Sequence, residues 1–387
     1  MITLYILAIT ALVTSTAFVA FILVNALPVQ GLFYHFFLRK PIAWTIFVGA
    51  LICEIWRFSE TGAFRWEAII PLALMGLAVV LAYRFHPSTV FKAVDYPKMS
   101  DSPLQLPIND DMTLAIVECD GESKAYPLDY LIHGHIVNDR FGDHIISLTY
   151  CALCRGIVPF DVTDIGPLFV AGLKNGNMIV ADKKTKTHFQ QATFESIIGP
   201  LHPHTLKMIG FQVLPWSQVK RLEPLPKIVH VTEYDFREFK LPIPGVWRMV
   251  SKGNVTPSLP SKKHDKTFPA RTPVIGVIDP VAKPQVVYLK SELTEQGVVK
   301  NEELDVFFVA LGDSVNAFKA SVAGDAVDLS IDAAGILTDR QSSTTWDIRG
   351  KYQNGAIDSD LEKIVISEEY WYSWKLFHPR SQLIRLK

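Results

Sequence analysis

Hydrophobic and polar positions divide the chain at about Pro87. From Ile2 to Leu27 no charged residue interrupts the apolar pattern, a length sufficient to cross a hydrocarbon core as a helix. A second run covers about 42–57 and a third about 66–84, with Trp44, Trp56, Trp66 and Tyr83 near their ends like an interfacial belt. The pattern therefore predicts three transmembrane helices in a membrane region spanning 1–87. Glu54 falls two residues before Trp56 and is read as a headgroup-level carboxylate. The Met-Ile-Thr-Leu-Tyr start has no basic segment, which favours an uncleaved anchor over a signal peptide.

After Pro87 the runs become short and alternating, punctuated by Gly, Asp and Pro, which predicts a β-rich α+β region. This region also repeats itself. Ala115 through Leu131 resembles Gly276 through Leu293, and Ile136-Val-Asn-Asp139 lies opposite Val298-Val-Lys-Asn301. Gly176 through Asp182 matches Gly335 through Asp339, and Trp216 and Pro224 are spaced like Trp371 and Pro379. Two tandem pseudo-symmetric repeats are expected, at 88–226 and 273–387. Between them, 227–272 reads as a basic, proline-bearing connector with little structure of its own.

Composition sharpens the picture. Of 387 residues, 49% are hydrophobic and 20% charged, and most of the excess lies before Tyr83, so a soluble cytoplasmic protein is not the default. The net charge of -1 offers nothing to a general nucleic-acid binder. Four cysteines are too few for a disulfide scaffold in a chain this long. Charge sets orientation poorly: Arg39 and Lys40 in the first loop nearly balance Arg57 and Arg65 in the second, while Arg84 and Lys92 lean toward a cytoplasmic soluble part.

The candidate chemistry is in the first repeat. Cys151-Ala-Leu-Cys154 has no counterpart in the second, and six of eleven histidines fall in the first repeat. A Cys-x-x-Cys brings two thiols close enough to form a disulfide or to chelate a soft metal. Here it sits between two strand-like segments and not at a helix start, which weakens a thioredoxin-like reading. A zinc ribbon needs a second such pair, and haem attachment needs His where Arg155 stands. Copper or zinc held by Cys151, Cys154 and a histidine drawn from His135, His133 or His188 is the first reading. A thiol–disulfide enzyme using the same cysteines is the second. A local staple in an accessory subunit of a membrane complex is the third. Whether the chain is an enzyme is left open.

Ala125-Tyr-Pro-Leu128, Ile136-Val-Asn-Asp139, Leu148-Thr-Tyr-Cys-Ala-Leu-Cys154, Phe160-Asp161 and Gly199-Pro-Leu201 together resemble a prokaryotic family labelled domain of unknown function 3179. The resemblance extends to the closing Trp371, Trp374, His378 and Pro379. The family pattern has Pro where this chain has Ala152 and Gly where it has Arg155. Its histidine before Ile-Val-Asn-Asp falls at Gly134, flanked by His133 and His135. The resemblance implies an extracytoplasmic domain anchored to the cytoplasmic membrane, with the lipid bilayer as partner, and no settled activity.

Overall fold

The computed structural model describes residues 1–236, 265–277 and 285–386. Most of the expected connector, together with 278–284 of the second repeat, lies outside the described residues.

The N-terminal region corrects the expected count of spans. Two helices near the N-terminus are long and apolar enough to cross a membrane, not three. The first apolar run breaks into α1 (Ile2–Thr16) and α2 (Phe18–Leu23). At 1.5 Å per residue α1 is roughly 22 Å long, short of a bilayer core. The helix over the second run, α3 (Gly31–Thr61), starts well before the expected residue 42 and carries Arg39, Lys40 and Pro41 inside it. Arg39 fits there because its guanidinium is satisfied within the bundle: Nε donates to the Ala82 carbonyl at 2.9 Å, and Nη1 donates to that of Phe36. The third run is α4 (Ile69–Arg84), entered through a short 3-10 turn from Trp66. Small side chains (Ala8, Ala11, Ala50, Ala78) let α1, α3 and α4 approach closely, while Ile6, Ile52, Ile55, Trp56 and Ile70 are exposed. Glu54 pairs with Arg57 at 3.2 Å and with Arg65, near the end of α3.

Beyond Pro87 the chain is β-rich, with short helices. One four-stranded sheet pairs Thr113–Cys119 with Glu122–Pro127, then adds Phe211–Pro215 antiparallel to the former and Lys227–Ile228 parallel to the latter. Lys227–Ile228 is thus a strand at the start of what reads as connector. In a second sheet Pro273–Val277 pairs with Val286–Leu289, Ile366–Tyr370 adds antiparallel to the former, and Gln382–Ile384 adds parallel to the latter. Each opening hairpin runs into a seven-residue helix, Leu128–Gly134 or Lys290–Gln296.

The strands that position the site follow. β1 (Ile136–Phe141), β2 (His144–Cys151) and β3 (Gly156–Asp161) form an antiparallel meander. β4 (Leu168–Lys174), β5 (Asn177–Asp182), β6 (His188–Gln190) and β7 (Ser196–Ile198) form the next sheet. One face of that sheet, through Phe169, Ala171, Ile179 and Ala181, packs on Phe18 of α2 and Leu32 of α3. The other, through Val170, Met178, Val180 and Phe189, joins the apolar cluster around Cys151 and Cys154. A single sheet therefore separates the N-terminal helices from the cysteines.

Candidate thiol site

Cys151 is the last residue of β2 and pairs across the ladder with Gly156, the first of β3. Residues 152–155 close the hairpin, with Arg155 in the left-handed region at φ 67°. Both cysteines are buried and carry free thiols. Gly156 leaves a narrow space beside them: a Cβ there would lie 3.4 Å from Cys154 Sγ and 3.6 Å from Cγ of Glu369.

The two sulfurs occupy different environments. Burial by itself would raise the Cys151 pKa, since it disfavours the thiolate. The Cys154 thiol and the backbone N–H groups of Cys154, Leu153 and Met178 bond to that sulfur and hold its pKa below the ordinary value. Burial raises the Cys154 pKa well above it, reinforced by Cys151 and by the nearby Glu369 carboxyl. The Cys154 sulfur also lies 3.6 Å from the Cys151 carbonyl oxygen and accepts from Asn177 Nδ2 at 3.1 Å. Asn177 is oriented in turn by Gln190, whose Nε2 donates to Asn177 Oδ1 at 2.5 Å. Asn177→Ala is expected to destabilise the protein by about 2 kcal/mol, because it strands a buried amide and a buried sulfur together. Denaturant unfolding of the intact chain checks this.

The last strand and helix of the chain cover the turn. β8 (Ile366–Tyr370) and α5 (Trp371–Phe377) bring Tyr370 N–H to the Cys154 carbonyl at 2.9 Å. Tyr372 O–H donates to the carbonyls of Leu153 at 2.9 Å and Gly176 at 3.0 Å. Arg155 pairs with Glu368 at 2.6 Å and Asp313 at 3.2 Å, the same two carboxylates that Lys290 holds. Glu369 is buried, which raises its pKa, and it accepts from the hydroxyls of Ser367 at 3.0 Å and Ser373 at 2.6 Å. Asn177, Gln190, Glu369 and Tyr372 were not expected from the sequence. The available signal is the inverted alternation of β8, which buries Ser367 and Glu369.

The histidines are dispersed. His135 caps the helix Leu128–Gly134 with φ 59°, and its carbonyl accepts from Tyr150 N–H at 2.7 Å, one residue before Cys151. Its ring lies 4.7 Å from that of Phe91, which packs on the cysteine cluster. His188 pairs with Ala181 on β5, four residues from Asn177, which puts it roughly 13 Å along the strand from the thiols. Its ring packs on Phe33 and Phe36 of α3. The His133 side chain lies outside the described residues. Among the described residues no group of three or more His, Cys, Asp or Glu side chains is placed to hold a metal ion.

No curated protein and no solved structure matches the chain. A family model described as "Protein of unknown function (DUF3179)" matches residues 90–381, which include the thiol turn, the sheet behind it and the strand and helix that cover it. The chain belongs to this family.

Proposed function

We propose that the protein is a membrane-anchored dithiol protein in which Cys151 and Cys154 exchange two electrons with a disulfide or dithiol substrate. One observation carries the reading: two free thiols three residues apart share one buried turn, with backbone N–H groups favouring the thiolate at Cys151 and a buried carboxyl, Glu369, close to Cys154. That asymmetry separates an attacking sulfur from a resolving one. The Cys151 thiolate attacks one sulfur of a substrate disulfide, forming a mixed disulfide and releasing the other sulfur as thiolate. Cys154 then passes its proton to the substrate thiolate released in the first step and attacks Cys151 Sγ. The second substrate sulfur leaves as thiolate. Two electrons have moved from the protein dithiol to the substrate, and the reverse sequence oxidises a substrate dithiol. Both sulfurs are buried, so the turn must lift, against the Arg155 ion pairs and the Tyr372 hydrogen bonds.

A second reading is a soft-metal site, with copper or zinc on Cys151, Cys154 and His135. The backbone N–H groups on the Cys151 sulfur favour it, since the same groups that stabilise a free thiolate stabilise a ligating one. Copper(I) suits thiolate ligands in an apolar surround.

The anchor is formed by α3 and α4, braced by α1, in the cytoplasmic membrane, with the β-rich part outside the cytoplasm as the family resemblance implies. The β-rich part is two copies of one unit. The like order of the two opening sheets supports this, as do two paired details. Gly199 packs on Thr187 as Gly355 packs on Thr344, and Tyr126 bonds Asp139 at 2.6 Å as Tyr288 bonds Asn301 at 2.6 Å.

The test is a redox titration of the intact, detergent-purified chain across glutathione buffers, with Cys151 and Cys154 followed by mass spectrometry. One reversible two-electron transition is expected. A pair that stays reduced, or oxidised, over the whole range overturns the redox reading. Stoichiometric metal in a chelator-free preparation, lost in the Cys151→Ser/Cys154→Ser double variant, would then establish the second.

A further inference from the structure

Three imidazoles gather where the β4–β7 sheet meets the helices, well away from the thiols. His35 of α3, His86 just after α4 and His188 of β6 are 7%, 0% and 1% exposed. The His35 and His86 rings stack at 5.8 Å, and Phe36 lies 5.5 Å from His86 and 6.5 Å from His188. Each ring has one nitrogen satisfied. His35 Nε2 donates to the Thr14 carbonyl at 3.0 Å, and His188 Nδ1 donates to that of Lys186 at 2.8 Å. His86 Nδ1 accepts from Ser88 N–H at 3.2 Å and lies 2.8 Å from the Ser88 hydroxyl. The remaining nitrogens, His35 Nδ1, His86 Nε2 and His188 Nε2, are buried without a hydrogen-bond partner among the described residues.

This arrangement accommodates neutral rings. Protonating His35 or His188 would add a buried N–H with no acceptor, and at any of the three it would add a positive charge. The surrounding charges oppose it as well. Arg39 and Lys40 act on His86 from α3, with the Lys40 ammonium over the Tyr83 ring of α4. On the sheet side the ammonium of Lys186, in the β5–β6 turn, lies 5.5 Å over the Phe169 ring. Lys174 donates to the carbonyls of Phe21 at 2.8 Å and Val24 at 2.9 Å, and Lys183 of the same turn is paired with Asp95. Asp182 is the carboxylate that acts on His188, and its oxygens already accept from Thr185 and from Thr187 N–H.

We propose that His35, His86 and His188 form an acid-sensitive junction that holds the β4–β7 sheet against the helices at neutral pH and releases it on acidification. Burial pushes the His188 pKa down to about 4 and, with Arg39, His35, His188 and Lys40 nearby, pushes that of His86 further down. The released form then binds more protons than the docked form wherever a free imidazole titrates. The junction is therefore intact above about pH 6.5, the free-imidazole value, and weakens as the pH falls toward the docked values.

The experiment is hydrogen exchange on the intact chain in detergent at pH 7.5 and pH 5, corrected for intrinsic rates. Protection of peptides covering 31–40 and 168–190 should fall at least about tenfold, against little change in 329–346 of the same molecule. A His86→Leu/His188→Leu variant should lose most of this acid response. Unchanged protection of 168–190, or equal loss in 329–346, overturns the proposal; so does a folded double variant with the wild-type response. Should that variant fail to fold, the internal comparison within the wild-type chain still decides.

Discussion

Cys154→Ser is expected to stop thiol–disulfide exchange at the mixed disulfide, and Cys151→Ser to lower the exchange rate by on the order of 100-fold or more. The asymmetry follows from the environment of each sulfur. Cys151 is the thiol whose charged form is stabilised, by the Cys154 thiol and three backbone N–H groups against the opposing effect of burial. Cys154 is kept protonated by burial and by its acidic neighbour, so alone it is a poor nucleophile near neutral pH. Incubating each variant with a small aromatic disulfide and following the released thiol by absorbance gives the rates, and intact mass identifies the trapped adduct. Equal rates for the two variants would remove the assignment of roles.

Gly276→Ala is expected to cost about 3 kcal/mol or more. A Cβ at this position would fall inside the indole ring of Trp374, which is fully buried and donates from Nε1 to Ser381 Oγ at 2.9 Å. The ring cannot move without moving α5. Since α5 carries Tyr372 and Ser373, the substitution also loosens the cover over the thiol turn, and Cys151 should become easier to alkylate even where the chain still folds. Gly49→Ala is the control: apart from its own helix backbone, no atom of the described residues lies within 4 Å of a Cβ there, and Ala favours a helix over Gly by about 1 kcal/mol. Thermal unfolding of the two variants side by side measures the difference.

The β-rich α+β class was legible from alternation, and turns such as Asp120-Gly121 and Asn175-Gly176 carry the positive φ that such sequences favour. The helices were harder. Arg39 and Lys40 read as a loop because a charge between apolar runs is normally solvated, but the Arg39 guanidinium finds its acceptors inside the bundle. Helix α1 read as part of a longer span because periodicity does not register a break at an apolar residue such as Ala17. At the site, the cysteines announce themselves by spacing. Asn177 is 23 residues from Cys154, and Tyr372 is 219 from Leu153; only the folded topology brings them together. The position of His188 beneath α3 was invisible for the same reason, since its neighbours Phe33 and Phe36 are ordinary members of an apolar helix.

The account stands most directly on the order in which the two cysteines react. Intact protein in detergent would be treated with iodoacetamide over a pH series, and the modified peptides quantified by mass spectrometry with time. The account predicts that Cys151 is modified first, with half-maximal rate at a pH below the ordinary thiol value of about 8.5, while Cys154 reacts only after denaturation. Modification of Cys154 first, or of neither cysteine until the chain unfolds, would contradict it.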